Sequence, residues 1–213
     1  QFGAYFKTRV TLLNPTNRNF TINATLYGPI GRVKRISIPI KAGQNLVWND
    51  FLAEAFTYSG AGGVFFDGWF SPPGGSIDNL FLVTAEVYTD SPNGRYKTVV
   101  GNGTEWYWVE ANYKAYNFGV TVSAAERTNI GAFNHANEAI TVIAEVFNSN
   151  GQLVETVTFE MPKDTWNQKP LTVPVTNGTI KWKLLNGSAF LYAVTVDNQS
   201  NDGSLMAASY IVP

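Results

Sequence analysis

Residues 7–33, KTRVTLLNPTNRNFTINATLYGPIGRV, recur as residues 127–153, RTNIGAFNHANEAITVIAEVFNSNGQL, at a constant offset of 120 positions. Six positions are identical between the two stretches, and several others keep their apolar or basic character. The identical pairs are Thr8/Thr128, Asn14/Asn134, Asn17/Asn137, Thr21/Thr141, Ala24/Ala144 and Gly31/Gly151. Self-similarity at a fixed offset indicates a duplicated structural unit.

Two further blocks continue this repeat in the same order. After a slip of one residue, the alternating apolar positions of 36–40 match those of 157–161. Closer to the end of each copy, 82–90 resembles 190–198, and each block runs into a turn that contains glycine. Three collinear matches predict a tandem duplication of most of the chain.

The duplication divides the chain into two predicted modules of ordinary domain size. The first covers 1–100 and carries an insertion, 56–76, that is rich in aromatic residues and glycine and that the second lacks. The second covers 127–213. The intervening residues, 101–126, form a joining segment that is partly strand-like, and the sequence does not decide whether it belongs to one module or bridges the two.

Alternation of polar and apolar residues dominates both modules, as in 21–26 and 179–184, and turns such as Asn150-Gly151 follow at short intervals. Successive side chains of a strand point to opposite faces, so this pattern buries one face of a sheet and leaves the other in water. We predict an all-β fold of two tandem antiparallel β-sandwich modules, Ig-like or jelly-roll-like. One short helix is predicted at 49–56, with Asp50 as its N-cap.

Composition excludes several classes of partner. The charges nearly cancel, with 15 Lys and Arg against 16 Asp and Glu. No basic stripe is present that would neutralise a row of phosphates, so nucleic acid is not an expected partner. Apolar runs are too short for a membrane span. The chain has no cysteine, which removes disulfides and thiolate chemistry.

Two features of the sequence are relevant to whether the protein is secreted: its first residue and its glycosylation sequons. The sequence begins at Gln1 rather than Met, as either a mature chain without its signal peptide or a trimmed chain does, and the sequence does not decide between these. A turn-rich polar composition explains the sequons more simply than glycosylation does, and the sequence does not decide between them. The six Asn-x-Ser/Thr sequons begin at Asn19, Asn23, Asn102, Asn177, Asn186 and Asn198.

Each module opens with Lys or Arg followed by Thr, passes through an Asn-containing turn and a Thr-x-x-Ala strand, and later reaches an Ala-containing strand that ends in Asp or Asn. In these features the chain resembles the uncharacterised tandem β-sandwich repeats of secreted and cell-surface bacterial proteins. Copies in that group end in a short apolar tail with proline, to which 209–213 is similar. The resemblance covers 7–100 and 127–213. It implies an extracellular or cell-surface location and brings no catalytic residues.

Little in the sequence points to catalysis. Nucleophilic catalysis needs a base beside serine or cysteine, and the one histidine, His135, lies in a turn where the first module has Pro15. We therefore expect His135 to be an exposed loop residue. Glu86 and Glu145 lie between apolar neighbours, but nothing in the sequence pairs them as the two carboxylates of a glycosidase are paired. The chain is predicted not to be an enzyme.

A loop near the end of the second module offers oxygen ligands for calcium. It contains Asp197 and Asp202 and ends at Gly203. The loop lacks the glutamate that closes an EF-hand site. We expect a plain hairpin turn and no cofactor here, with calcium near Asp197 and Asp202 as the weaker alternative.

Aromatic residues are the best candidates for a ligand site. Trp106 and Trp108 lie on one face of a predicted strand, and Phe66 and Trp69 lie in the insertion. Exposed rings in a row would stack on the rings of sugars. The favoured alternative is structural: the two tryptophans close the gap between the modules, because 101–126 joins them.

These observations lead to an expected function. We expect a non-enzymatic extracellular or cell-surface protein with a structural or adhesive role, which assembles with copies of itself into a filament or surface layer. Exposed edge strands formed by the apolar termini, 2–10 and 205–212, would pair with a neighbouring sheet. The alternative is a carbohydrate-binding module that holds surface glycans on exposed Trp and Tyr rings.

Overall fold

The computed structural model describes residues 5–69, 80–91, 94–100 and 108–212, and for Trp69 and Ser91 it describes the backbone alone. It confirms the predicted all-β fold, since antiparallel strands make up most of the described residues. The helix predicted at 49–56 is also confirmed. It covers Phe51–Phe56, and Asp50 caps it by accepting from the amide of Ala53 while Glu54 accepts from the amide of Asp50.

The first half of the chain contains seven described strands and the helix α1. Two sheets form from these strands, with the orders β4-β1-β6-β7 and β3-β2-β5. The elements are β1 Lys7–Leu13, β2 Phe20–Gly28, β3 Gly31–Ile40, β4 Asn45–Trp48, α1 Phe51–Phe56, β5 Gly63–Trp69, β6 Leu82–Ser91 and β7 Gly94–Val100.

The second half contains ten described strands, again in two sheets. Their orders are β13-β10-β15-β16, with β8 also paired to β15, and β12-β11-β14-β9-β17. The strands are β8 Trp108–Glu110, β9 Lys114–Val122, β10 Glu126–Asn134, β11 Ile140–Phe147, β12 Leu153–Met161, β13 Thr165–Pro170, β14 Val175–Leu184, β15 Ser188–Asp197, β16 Gly203–Ala207 and β17 Ser209–Ile211.

Strands that match in the sequence repeat occupy equivalent places in the two halves. The order β4-β1-β6-β7 corresponds to β13-β10-β15-β16, and β3-β2-β5 corresponds to β12-β11-β14. Residues 63–69 of the predicted insertion thus form β5, which lies beside β2 as β14 lies beside β11. Residues 108–122 of the predicted joining segment supply β8 and β9 to the sheets of the second half.

Each half encloses its own hydrophobic core. The core of the first half collects the inward side chains of its two sheets together with the rings of α1. Its counterpart in the second half is larger and contains the fully buried Trp182, whose indole N–H donates to Asn117 Oδ1 at 2.7 Å. Burying such side chains contributes about 1.5–3 kcal/mol each. Besides Trp182, the largest fully buried side chains are Leu12, Ile22, Leu26, Ile40, Phe51, Ile130, Ile140, Phe159, Met161 and Ile180.

A buried asparagine ties together two loops in each half. Asn134 lies at the end of β10 and has no exposed surface. Its Nδ2 donates to the carbonyls of Glu138, Met161 and Pro162 at 2.9, 3.2 and 3.0 Å, while its Oδ1 accepts from the amide of Ala136 at 2.9 Å. One side chain therefore connects the β10–β11 loop to the β12–β13 loop.

Asn14 plays the same part in the first half, which gives a physical reason for the identity of Asn14 and Asn134 in the repeat. It is also fully buried. Its Nδ2 donates to the carbonyls of Arg18 and Lys41 at 2.7 and 3.0 Å, and its Oδ1 accepts from the amide of Thr16 at 2.9 Å. Any buried amide left without these partners would cost free energy.

Of the predicted N-terminal edge, 2–10, the structure places Val10 inside a sheet and leaves 7–9 paired on the β6 side alone among the described strands. Strand β1 lies inside its sheet, between β4 and β6, because the chain returns through β4 and pairs with Val10–Leu13. Only 7–9 lack a partner on the β4 side, and residues 1–4 are outside the described part of the chain. At the other terminus, β17 pairs with β9 alone among the described strands. No helix in the described ranges is long and apolar enough to cross a membrane.

We predict that Asn134→Asp destabilises the protein by about 3 kcal/mol, because the carboxylate removes donors from three carbonyls and leaves them facing a negative charge. Urea unfolding at neutral pH measures this change. The control is Asn150→Ala in the exposed turn after β11, which should change stability by less than about 0.5 kcal/mol. Equal stability of the Asp variant and the parent would show that the amide does not hold the loops together.

Candidate functional site

An aromatic junction, defined here as Tyr27, Phe65, Trp108, Phe133 and His135, lies between the two halves. The first two residues come from β2 and β5, and the others come from β8, β10 and the loop after β10. The ring of His135 lies 4.4 Å from that of Phe65 and 5.6 Å from that of Tyr27, and Tyr27 lies 5.2 Å from Phe133. Trp108 covers the opposite side, 5.9 Å from Phe133 and 6.5 Å from His135.

The burial pattern of two strands shows why the rings meet here. In β2 the alternation of buried and partly exposed residues stops at Ala24, and all residues from there to Gly28 are buried. In β10 the same happens from Ile130 to Asn134. The core of its own half therefore covers one face of each strand, and neighbouring side chains cover the other face. On that other face, Tyr27 of β2 and Phe133 of β10 cover each other.

His135 is not the exposed loop residue that the sequence predicts. About one third of its side chain is exposed, and its Nδ1 lies 3.1 Å from Oδ1 of Asp164. Asp164 occupies the β12–β13 turn with a φ of 57°. The position looked exposed because the first module has proline there. The turn instead packs against the first half, a contact between residues far apart in the sequence.

Backbone contact also closes the junction. A side-chain Cβ built on Gly63, at the start of β5, would lie 3.0 Å from Cδ1 of Trp166 in β13. A glycine at this position lets the indole lie directly against the β5 backbone. Strand β13 packs on β2 and β3, and β16 packs on β7, so the halves meet through strands as well as rings.

The junction changes the acidity of one of its members. Burial raises the pKa of Tyr27 above its ordinary value, and the nearby Asp164 carboxylate raises it further. Both effects disfavour the phenolate. The junction therefore holds Tyr27 as a neutral phenol.

The candidate ligand residues do not form one exposed platform. Trp108 lies in the aromatic junction, as the structural interpretation of the tryptophans expects. Phe66 pairs with the buried Ala24 across the sheet and packs against Phe51 of the first core, with ring centroids 5.6 Å apart. Trp69 is the last residue of β5, and its side chain lies outside the described part of the structure. Trp106 also lies outside it.

A pair of outward-facing rings lies elsewhere, on β9, where Phe118 is exposed and Tyr116 is half-buried. Tyr116 and Phe118 face away from the core, with centroids 5.9 Å apart and planes 16° from parallel. Phe118 is 57% exposed. The alternation of this strand by itself favours the rings inward and Asn117 outward, and the structure reverses this because Asn117 is buried, where it accepts from the Trp182 indole. The alternation was not decisive, since the sequence alone does not say which face of a strand is buried.

The loop proposed for calcium has its oxygen atoms engaged. Asp197 Oδ1 accepts from the amides of Gln199 and Ser200 and from the Ser200 hydroxyl, at 2.7–2.9 Å. These hydrogen bonds lower the pKa of Asp197. The Arg127 guanidinium donates to the side-chain oxygens of Asn198 and Asn201 at 2.8 and 3.0 Å. In the ranges described, no group of three or more metal-ligating side chains is present.

The two carboxylates considered for catalysis lie in different halves and each contacts a lysine. Glu86 of β6 accepts from Lys97 at 2.7 Å, and this hydrogen bond lowers the pKa of Glu86. Glu145 of β11 forms an ion pair with Lys183. Because they belong to separate sheets of separate halves, these carboxylates do not flank a common site.

Comparisons with known proteins give no family. The chain matches no protein-family model, and no curated protein matches it. A solved structure described as Bacteroides uniformis beta-glucuronidase 2 covalently bound to cyclophellitol-6-carboxylate aziridine overlaps 97% of this chain, at 10% identity and a TM-score of 0.19. This chain spans 24% of that one. A TM-score this low does not establish a common fold.

We predict that His135→Ala weakens the coupling between the halves, because it removes the ring that contacts both Phe65 and Tyr27. The expected loss is about 2 kcal/mol, seen by calorimetry as a broadened or divided unfolding transition. His135→Phe keeps the ring and loses the Asp164 contact, so it should retain a single transition. A single, unshifted transition in the Ala variant would contradict the role given to this ring.

We predict a loss of stability at alkaline pH that depends on Tyr27. Because its folded-state pKa lies above the unfolded value, the stabilisation is complete below the ordinary tyrosine pKa of about 10 and is lost as pH rises through the folded-state value. Urea unfolding between neutral pH and about pH 11 should show a smaller loss for Tyr27→Phe than for the parent. Identical losses would mean that Tyr27 does not contribute.

Proposed function

We propose that the protein is a non-enzymatic structural or adhesive protein of the extracellular space or cell surface, and that it acts as a subunit of a larger assembly. The observation that carries this proposal is the aromatic junction. Five rings, the Asp164–His135 contact and the packing of Trp166 on Gly63 fix one half against the other. A pair of β-sandwiches joined this way is a stiff unit, as a spacer or filament subunit needs to be.

The assembly would form through a sheet edge. Strand β17 has one strand partner in the described chain, β9, and its Ile211 is 62% exposed. An edge strand that carries an exposed apolar residue can be extended by a strand of another chain. Strand β16, the other part of the predicted C-terminal edge, pairs with β15 and packs against β7, so its second side faces the first half.

Carbohydrate binding is the alternative function, and the exposure of Tyr116 and Phe118 favours it. These rings are available to a ligand on an open sheet face. Trp108 and Phe66 pack against protein in this structure. A glycan site would therefore be built on β9, where the sheet leaves aromatic surface uncovered.

Light scattering with negative-stain microscopy tests the assembly. We expect particles well above the 23.4 kDa of one chain, and we expect Ile211→Lys to reduce them toward the monomer, because a lysine on an edge strand opposes pairing with another sheet. The matched control is Leu185→Lys, which alters an equally exposed residue in the β14–β15 turn. A monomer at all concentrations would overturn the assembly proposal.

A further inference from the structure

The outer face of β9 carries a short row of side chains that contact no core. Ala115 and Asn117 are buried on the inner face, so Lys114, Tyr116 and Phe118 project outward. Residues two apart on a strand lie about 7 Å from each other, which lets neighbouring rings contact one ligand together. The nearly parallel planes of Tyr116 and Phe118, 16° apart, suit the flat C–H face of a sugar ring.

Two cations flank these rings. Lys181 of β14 is the cross-strand partner of Tyr116, and Lys114 precedes Tyr116 by two residues on the same face. In the described ranges neither lysine forms an ion pair, whereas Lys183 on the same strand is paired with Glu145. Lys181 also lies opposite Glu145 of β11, whose ion pair is with Lys183, so the two lysines beside Tyr116 present positive charge that is not engaged in an ion pair within the described ranges.

Polar groups complete the surroundings of the rings. Thr179 of β14 lies opposite Phe118, and Ser209 of β17 lies opposite Tyr116. Hydroxyl groups of this kind both donate and accept hydrogen bonds, as the hydroxyls of a sugar require. The face combines apolar rings, hydroxyls and positive charge within one patch of three adjacent strands.

We propose that this face, formed by Lys114, Tyr116, Phe118, Thr179, Lys181 and Ser209, binds an acidic polysaccharide whose sugars carry carboxylates. The sugar faces lie on the two rings, and the carboxylates lie near the two lysines. Charge complementarity selects this occupant. A second copy bound to the same face about a two-fold axis would bring like-charged lysines together, and the net charge of −1 on the chain does not favour nucleic acid as the occupant.

The proposal rests on the carbohydrate-binding alternative of the proposed function and does not need the assembly. Binding measured on a monomeric preparation would support it even where the edge-pairing proposal fails. Conversely, an assembled protein that binds no acidic polysaccharide would overturn it and leave the assembly standing. The two outcomes are separate because Ile211→Lys probes the edge and the β9 variants probe the rings.

Isothermal titration of the full chain with three polymers tests the ligand chemistry. The probes are polygalacturonate, the same polymer with its carboxylates methyl-esterified, and polyglutamate, which has carboxylates and no sugar rings. We expect polygalacturonate to bind best, the ester about tenfold more weakly because the charge is gone, and added salt to weaken polygalacturonate binding. Equal binding of the ester, or equal binding of polyglutamate, would overturn the assignment.

Variants of the face test the site. Phe118→Ala and Tyr116→Ala should each weaken polygalacturonate binding about tenfold through the loss of a stacked ring, and Lys181→Gln should weaken it and reduce its salt dependence. The controls are Tyr5→Ala, at a ring 63% exposed elsewhere, and Lys163→Gln, in the exposed β12–β13 turn. Unfolding curves verify that every variant is folded. Unchanged binding in the ring variants, or a dimer that Phe118→Ala dissociates, would overturn the proposal.

Discussion

The rest of the structure depends on one buried asparagine in each half, whose side-chain amide must find hydrogen-bond partners within the protein. Asn14 and Asn134 each lie at the end of a central strand, where they hold the next loop and the loop after the following hairpin in one arrangement. A fully buried amide is tolerated only where protein atoms replace water around it. The loops are consequently fixed in space, and in the second half they place His135 and Asp164 where they contact the first half.

The loops held by Asn134 form part of the contact between the two halves. In an ordinary tandem pair, the loops at the end of one sandwich are mobile and the modules move relative to each other. Here the turn that carries Asp164 and the loop that carries His135 belong to the same hydrogen-bonded unit. The aromatic junction is therefore an extension of the second sandwich onto the outer face of β2 and β5. The buried amide holds the two loops, and the His135 ring, which one of those loops carries, contacts the first half.

Features that depend on local sequence pattern could be predicted from the sequence. The packing of one face of a strand against another part of the chain could not. Alternation predicted the all-β fold, and Asp50 with its following apolar residues predicted α1. The neighbours Phe65 and Phe66 show the limit. They point to opposite faces, so one faces the other half and one fills the first core, but the sequence does not tell which. Only the pairing of Phe66 with the buried Ala24 decides it.

The aromatic junction could not be predicted from the sequence repeat. A repeat compares equivalent residues of the two copies, whereas Tyr27 and His135 come from different positions in the repeat and meet only because the halves pack asymmetrically. The outward-facing rings of β9 were not predicted as a pair because this strand lies within the predicted joining segment, outside both matched copies. Its membership of the second sandwich follows from its pairing with β14 and β17.

That pairing also sets an order of events during synthesis. All described strands of the first half have been made once residue 100 is complete. Strand β9 follows soon after, at 114–122, but its partners β14 and β17 arrive only at 175–184 and 209–211. Closing such a long loop costs entropy that increases slowly with its length. Until β14 and β17 have been made, β9 lacks both of its strand partners.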